Sequence, residues 1–250
     1  MKTHTIAVLT ATLLSISAFA GEASSTEIDK MPAQLESQFA LSALPPALRE
    51  RASVYLLDPA QGYRRSRQGT NGVTCIVQRT VWEMADFRND IYIPLCYDAA
   101  GTQSYLKVIM DAAALRADGM EPDALKATID KRWKDKTYKV PQKAGLSYMV
   151  APLQRTIGPP DLKVHTLSMP HLMPYAPGVT NADIAAAPNL ADRASLHWPF
   201  IDRQGNDEQS YLIQMVGETE RARILAEEKE LLAKLCAYRD LLCLPAGENK

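Results

Sequence analysis

The chain has 250 residues, of which 28 are basic and 29 acidic, with 46% hydrophobic residues and a formal net charge of −1. This balance is typical of a folded globular protein and excludes a chain that is disordered over most of its length. Because the net charge is close to zero, no overall electrostatic field favours binding to nucleic acid or to an acidic membrane surface.

The N-terminal sequence has the pattern of a cleaved export signal at residues 1–20. A single lysine precedes the apolar run TIAVLTATLLSISAFA, and the small residues Ala18 and Ala20 stand at the two positions that a signal peptidase inspects. The run is about 15 residues long, shorter than the roughly 20 that a membrane-spanning helix needs. We therefore expect a periplasmic or secreted protein with no transmembrane segment after signal removal. A flexible N-terminal segment is expected at 21–42.

Residues 43–217 are predicted to form one α+β domain with a mainly antiparallel sheet. After a short helical entry, β-branched and aromatic residues predict a strand at 53–58. The sequence DPAQGYRR then indicates a turn, and Asn71-Gly72 favours a tight turn before the strand VTCIVQR. A further strand is predicted at 91–98, so that these last two strands form a hairpin.

Two central helices are predicted in the middle of the chain. Apolar residues at helical spacing predict the first helix at 104–120. Pro122 stands where a helix favours proline, in its first turn, and opens the second helix. The apolar positions of that helix are Leu125, Ile129 and Trp133.

The third part of the chain returns to strands. They are predicted at 146–152, 163–173, 196–202 and 210–217. Thr180 and Asp183 resemble a capping box, in which aspartate replaces the usual glutamate, and predict a short helix at that point.

Residues 218–250 are predicted as a C-terminal helix and tail. Apolar residues at 3–4 spacing from Ile224 to Leu242 indicate a long amphipathic helix. We favour packing of this helix on its own domain over a coiled-coil dimer, because a heptad register would place Glu228 in the seam.

All four cysteines, Cys75, Cys96, Cys236 and Cys243, follow the predicted signal, and an even number in an exported chain favours disulfides. The predicted hairpin pairs 75 with 96, 77 with 94 and 79 with 92, which brings Cys75 and Cys96 within disulfide reach. In a continuous helix the last two cysteines would be about 10 Å apart, beyond disulfide reach. We expect the helix to end near Tyr238 and the chain to fold back into a 236–243 bond. Two reduced, buried cysteines are the alternative.

The segment HTLSMPHLMPY places His165, Met169, His171, Met173 and Tyr175 at odd positions. Alternate side chains of a strand share a face, so two imidazoles and two thioethers are predicted on one side. His165, Met169, His171 and Met173 would then form a ligand set for a soft metal such as copper. The alternative is a structural role in which the methionines fill the core, since two prolines interrupt a regular strand.

A hydrolase is the second class of function. His165 or His171 would act as general base with Asp86, Asp90 or Asp98 nearby. The stretch GLSYM begins like the nucleophile elbow of serine hydrolases but ends in methionine instead of glycine. The sequence contains no glycine-rich phosphate loop, HxxxH or CxxC pattern, so no cofactor is predicted and enzymatic activity stays open.

Two basic stretches, 63–67 and 131–139, combine arginine or lysine with aromatic residues. They allow an anionic partner such as a glycan, a lipid head group or a phosphate. The second stretch also lies near a predicted helix C-terminus, where cations complement the helix dipole.

The favoured hypothesis is a non-enzymatic ligand-binding or accessory protein of the cell envelope. Its partner would be a cell-envelope small molecule or a glycan, and no nucleic acid is expected. The candidate ligand contacts are Thr70, Asn71, His165, His171 and Tyr175. A structural envelope protein that dimerises through its C-terminal helix is a third class.

Two segments, GTNGVTCIVQR at 69–79 and MPHLMPYAPGVTNADI at 169–184, resemble an uncharacterised family of exported bacterial proteins with no known activity. The resemblance spans roughly residues 43–217. It implies export from a bacterial cell and supplies no activity, cofactor or catalytic residue. In that family an aromatic residue is expected after the PHLM element, where this chain has Pro174.

Overall fold

A computed structural model describes residues 26–247, so the predicted export signal at residues 1–20 lies outside the described residues. The strands are β1 (Ser53–Asp58), β2 (Gly62–Arg67), β3 (Thr74–Gln78), β4 (Ile93–Tyr97), β5 (Leu146–Met149), β6 (Gln154–Gly158), β7 (Lys163–Leu167), β8 (His171–Pro174), β9 (Phe200–Arg203) and β10 (Ser210–Met215). The helices are α1 (Ala33–Ser42), α2 (Pro46–Arg49), α3 (Ala99–Thr102), α4 (Tyr105–Ala117), α5 (Pro122–Lys134), α6 (Glu218–Glu227) and α7 (Lys229–Tyr238). Short 3-10 helices occupy Trp82–Met84, Arg193–His197 and Asp240–Leu242.

Eight strands form one sheet in the order β2-β1-β3-β4-β5-β8-β10-β9. β1 and β3 are parallel, and the other neighbouring pairs of this sheet are antiparallel. β6 and β7 form a separate antiparallel hairpin, which backbone hydrogen bonds between Tyr92 and Arg155 tie to the chain just before β4. The α+β class with a mainly antiparallel sheet is thereby confirmed.

The sheet separates two hydrophobic cores, because successive side chains of a strand point to opposite faces. In β4, Ile93, Leu95 and Tyr97 belong to the first core, whereas Cys96 belongs to the second. The first core is completed by α4 and α5, the two central helices expected from the sequence. The second core is completed by α1 and α7.

The β3–β4 hairpin confirms the predicted register at its centre. Cys75 lies opposite Cys96, and the two form a disulfide at a Cα–Cα distance of 4.0 Å. The ladder ends before the predicted 79–92 pair, because Tyr92 pairs with Arg155 of β6 instead.

The prediction of one long amphipathic helix in the C-terminal region is wrong. Helices α6 and α7 are short and separate, because Glu228 leaves the helical path at φ −100° and ψ 14°. The carboxylate of Glu228 forms an ion pair with Arg49, which holds this break against α2. Helix α7 ends at Tyr238, and the chain folds back into the Cys236–Cys243 disulfide, as predicted.

The predicted strand at 163–173 is divided into β7 and β8 by residues 168–170. Pro170 has no N–H to donate to a sheet ladder. Its carbonyl accepts a hydrogen bond of 3.1 Å from the N–H of Val216, which ties the break to the end of β10. As a result β7 pairs only with β6 among the described strands, whereas β8 lies in the main sheet between β5 and β10.

The predicted helix after Thr180 is replaced by turns, although the capping bonds are present. Asp183 accepts from the N–H of Thr180 at 2.8 Å, and the Asp183 N–H donates to the Thr180 hydroxyl at 3.3 Å. The chain then passes through Ala185 in the left-handed region at φ 54°. The Asn181 amide bonds both the N–H and the carbonyl of Ile201, at 2.7 and 3.1 Å, and so holds this segment against β9.

Within the segment 21–42, which was expected to be flexible, the structure describes residues 26–42. The last residues of this segment form α1, which buries Phe39 in the second core. Upstream of α1, the Asp29 carboxylate forms ion pairs with Arg79 at 3.1 Å and Arg239 at 2.9 Å. These contacts join the start of the described chain to the residues after α7.

Glu36 of α1 is an acid buried against β1, with 2% of its surface exposed. It accepts a hydrogen bond of 2.8 Å from the N–H of Leu57. Burial raises the pKa of Glu36 to about 7, above the ordinary value of 4.5. Stability that depends on this group is therefore fully present below pH 4.5 and is lost as the pH rises through 7.

We expect Glu36→Gln to raise the free energy of unfolding at pH 8 by up to about 3 kcal/mol. At pH 4 the wild-type carboxyl is protonated in both states and resembles the amide, so the variant should match the wild type. Urea titrations at the two pH values measure this difference, with exposed Glu50→Gln as the control. An equal effect of Glu36→Gln at both pH values would contradict the prediction.

Candidate functional site

A cavity of about 330 Å³ lies on the first-core face of the sheet. Strands β4, β5, β8, β9 and β10 form its floor, and the β6–β7 hairpin forms one wall. The 3-10 helix that carries Glu83 and Met84 contributes to the lining. Most lining side chains are apolar, and the volume is at the lower end of the roughly 300–1,000 Å³ range of small-molecule sites.

Thioether side chains surround the imidazole of His171 in this cavity. Met149 of β5 and Met215 of β10 are the direct cross-strand partners of His171, one on each side. Such partners have Cβ atoms roughly 4.5–5.5 Å apart. Met169 and Met173 lie two residues before and after His171, and these four methionines all line the cavity.

The hydrogen-bond partner of the His171 ring determines which ring nitrogen carries the proton. Its side chain is buried, and Nδ1 lies 2.7 Å from the carbonyl oxygen of Met169. A carbonyl only accepts, so Nδ1 carries the proton and donates it. Burial lowers the pKa of His171, and the neutral ring keeps a lone pair on Nε2 that can accept a hydrogen bond or bind a metal.

A second polar region of the lining consists of Gln78, Glu83 and Asp202. Gln78 is 1% exposed; its Nε2 donates to the carbonyl of Thr80 at 3.0 Å, while its Oε1 has no partner within residues 26–247. Oε2 of Glu83 is also buried without a partner in that range. Burial, with repulsion from Asp202, raises the pKa of Glu83 to about 7.

His165 and Tyr175 do not line this cavity. His165 lies on β7, where its Nε2 is 2.5 Å from Oδ1 of Asp161 in the β6–β7 turn. Tyr175 follows β8, and its hydroxyl donates to Oδ1 of Asp98 at 2.9 Å. Of the five odd-numbered residues, Met169, His171 and Met173 are brought together.

Thr70 and Asn71 also lie outside the cavity lining. The Asn71 amide donates to the carbonyl of Leu48 at 3.0 Å and accepts from the N–H of Val73 at 3.0 Å. The N–H of Thr70 donates to the carbonyl of Arg51 at 2.7 Å. This loop therefore fixes the approach of α2 to β3, and its two candidate residues are not part of the cavity that His171 lines.

The three candidate acids of the hydrolase hypothesis have other partners. Asp90 binds Arg88 at 2.8 Å and Arg155 at 2.9 Å, and Asp86 lies 3.8 Å from Arg88. Asp98 accepts from the N–H groups of Gly101 and Leu146, besides the Tyr175 hydroxyl. Within residues 26–247 no group of three or more His, Cys, Asp or Glu side chains is placed to hold a metal ion.

Among the lining residues that sequence reasoning missed are Gln78, Glu83, Met149 and Met215. Gln78 had a usable signal, because it shares a face of β3 with Ile76, which belongs to the first core. The sequence contains no such signal for Met149 and Met215, since their position beside His171 depends on which strands pair.

Comparison with known proteins does not assign a function to this site. No protein family, curated protein or solved structure matches the chain. Within the part of the chain that the structure describes, no helix has the length and apolar character needed to cross a membrane. Function is therefore inferred from the cavity itself.

We expect His171 to be a neutral Nδ1–H tautomer at pH 7.5, because burial lowers the pKa of its ring and Nδ1 donates to the Met169 carbonyl. Long-range ¹H–¹⁵N NMR spectra of the ¹⁵N-labelled protein distinguish this tautomer from the more common Nε2–H form. His171→Gln assigns the signals. An imidazolium signal for His171 at pH 7.5, or an Nε2–H tautomer, would be inconsistent with this geometry.

Proposed function

We propose that this protein is an exported, non-enzymatic binding protein that holds a small apolar molecule in the cavity. The observation that carries the proposal is a half-open, mainly apolar cavity on one face of the sheet. An apolar molecule suits this lining better than a glycan, because thioether and aliphatic side chains offer few partners to sugar hydroxyls.

The disulfides support the export part of the proposal. The four cysteines of the sequence form two disulfides, and none is free. Structural disulfides form and persist in oxidising compartments, such as the periplasm or the outside of the cell. This agrees with the signal pattern at residues 1–20 and with the resemblance to exported bacterial proteins.

The mouth of the cavity also favours an apolar ligand. Three large hydrophobic side chains, Met84, Leu162 and Leu190, are 49%, 49% and 43% exposed and also belong to the cavity lining. Exposed apolar side chains of this kind offer an apolar ligand a favourable surface at the edge of the cavity.

The hydrolase alternative receives less support. The pair of His165 and Asp161 has a suitable distance, but it lies on the β6–β7 turn and outside the cavity lining. His171 lines the cavity, and the described partner of its ring is the Met169 carbonyl rather than an acid.

Filling the cavity should abolish binding of an apolar probe. We expect wild-type protein to bind the neutral dye N-phenyl-1-naphthylamine saturably, and Ile157→Trp, within the cavity lining, to bind it at least tenfold more weakly. Fluorescence titration measures both. Ile184→Trp is the matched control, because Ile184 is 39% exposed and outside the lining. Equal binding by Ile157→Trp and wild type, with circular dichroism showing both folded, would contradict the proposal.

Copper(I) binding is a second candidate function. It is favoured by the position of His171 between the thioethers of Met149 and Met215, since imidazole and thioether are ligands for Cu(I). Met169 and Met173, both predicted ligands, lie close along the chain. His165, the fourth predicted ligand, is on the separate hairpin.

Methionine-to-leucine exchanges test this candidate, because they keep the volume and remove the sulfur. If the site binds Cu(I), the Met149→Leu/Met215→Leu double variant should lose at least tenfold in affinity in anaerobic competition with a chromophoric chelator. Met110→Leu, on α4 and outside the lining, should not change it. Wild-type protein that leaves all Cu(I) on the chelator would rule the function out.

A further inference from the structure

The unpartnered buried polar atoms of the cavity lining are hydrogen-bond acceptors. Oε1 of Gln78 and Oε2 of Glu83 have no partner within residues 26–247, and Nε2 of neutral His171 carries a lone pair. A buried acceptor without a donor loses the hydrogen bond that water would give it. Each of these atoms therefore favours a ligand that donates.

Several donors of the lining are already used inside the protein, whereas the indole N–H of Trp82, just outside the lining, has no partner within residues 26–247. Nε2 of Gln78 donates to Thr80, and Nδ1 of His171 donates to Met169. The hydroxyls of Tyr97 and Tyr211 bond each other at 2.8 Å. These groups can therefore donate few hydrogen bonds to a ligand. The unpartnered oxygens, in contrast, can accept hydrogen bonds from one.

The same end of the cavity carries negative charge. Gln78 is the last residue of β3, and Glu83 lies in the 3-10 helix that follows it. Trp82 and Glu83 pack against Gly205, in the turn between β9 and β10. Asp202 lies on β9 of the same hairpin. Two cations near these acids have other partners: Lys126 of α5 binds Asp130 at 2.7 Å, and Arg203 of β9, itself part of the lining, binds Asp207 at 2.6 Å.

We propose that the ligand is an apolar amine, whose ammonium group binds Glu83 and Gln78 while its hydrocarbon body packs on the methionine-rich floor. This inference rests on the proposed binding function and names the chemical class of the ligand. An ammonium supplies three donors and one positive charge to a region that has free acceptors and unbalanced acids.

The titration of Glu83 should make the binding of an amine depend on pH. The pKa of Glu83 is about 7 in the free protein, and an adjacent ammonium favours the carboxylate. Charged groups that act on Glu83 are Asp202 on β9, which raises its pKa, and Lys126 on α5, which lowers it. Amine binding should therefore strengthen about tenfold between pH 6 and pH 8, with release of a proton near pH 7.

The test compares decylamine, decanol and decanoate as competitors of the bound naphthylamine dye, below their micelle concentrations. Decylamine should bind at least tenfold more tightly than decanol at pH 8, and decanoate should bind most weakly. Glu83→Gln should remove both the advantage of the amine over decanol and its pH dependence. Glu230→Gln, an exposed exchange on α7, should behave like wild type.

The outcomes separate this inference from the function on which it rests. If none of the three compounds displaces the dye, and the dye itself binds no better to wild type than to Ile157→Trp, binding of apolar molecules fails altogether. If decanol and decanoate compete as well as decylamine, or if Glu83→Gln keeps the preference for the amine, the cavity binds apolar molecules and the amine inference is wrong.

Discussion

The register of the β3–β4 hairpin is the constraint on which the remaining structure depends. A shift of one residue would exchange every side chain between the two faces of the sheet. The Cys75–Cys96 disulfide excludes that shift at the centre of the sheet, and closing a loop of this size contributes about 3 kcal/mol in the chain-entropy account. Because the register is fixed, Gln78, Leu95 and Tyr97 face the cavity, while both cysteines face α1 and α7.

The interruption of the strand at Pro170 gives the cavity one of its walls. A continuous strand from 163 to 173 would lie flat in one sheet and leave no wall above its face. Because the chain breaks, β7 remains with β6 in a hairpin over the sheet, and β8 enters the sheet between β5 and β10. Met169 and Met173 stay on the cavity side with His171, so one break supplies both the wall and the methionine-rich floor.

Local patterns predicted those parts of the molecule whose partners are close in the chain. The hairpin disulfide, helices α4 and α5 and the fold-back after Tyr238 follow from periodicity and from the reach of a disulfide. The break at Glu228 was not predictable in this way, because it is stabilised by Arg49 from the other end of the chain. The separation of His165 from His171 likewise depends on strand pairing. The sequence therefore pointed to a segment that lines the cavity through Met169, His171 and Met173, but not to the residues that other strands bring to it.

Two buried acids with the same raised pKa illustrate how a structural role differs from a binding role. Glu36 and Glu83 both have a pKa of about 7 because burial disfavours the charged form. Glu36 accepts the N–H of Leu57 and so completes the contact between α1 and β1. Oε2 of Glu83 is buried without a partner among residues 26–247, and an oxygen left in this state costs roughly 1–3 kcal/mol. This carboxyl lines the same cavity as Oε1 of Gln78, which also lacks a partner in that range, and a donating ligand would supply the missing hydrogen bonds. Binding energy then offsets the destabilisation of the empty site, which is the pattern expected of a functional acid rather than a structural one.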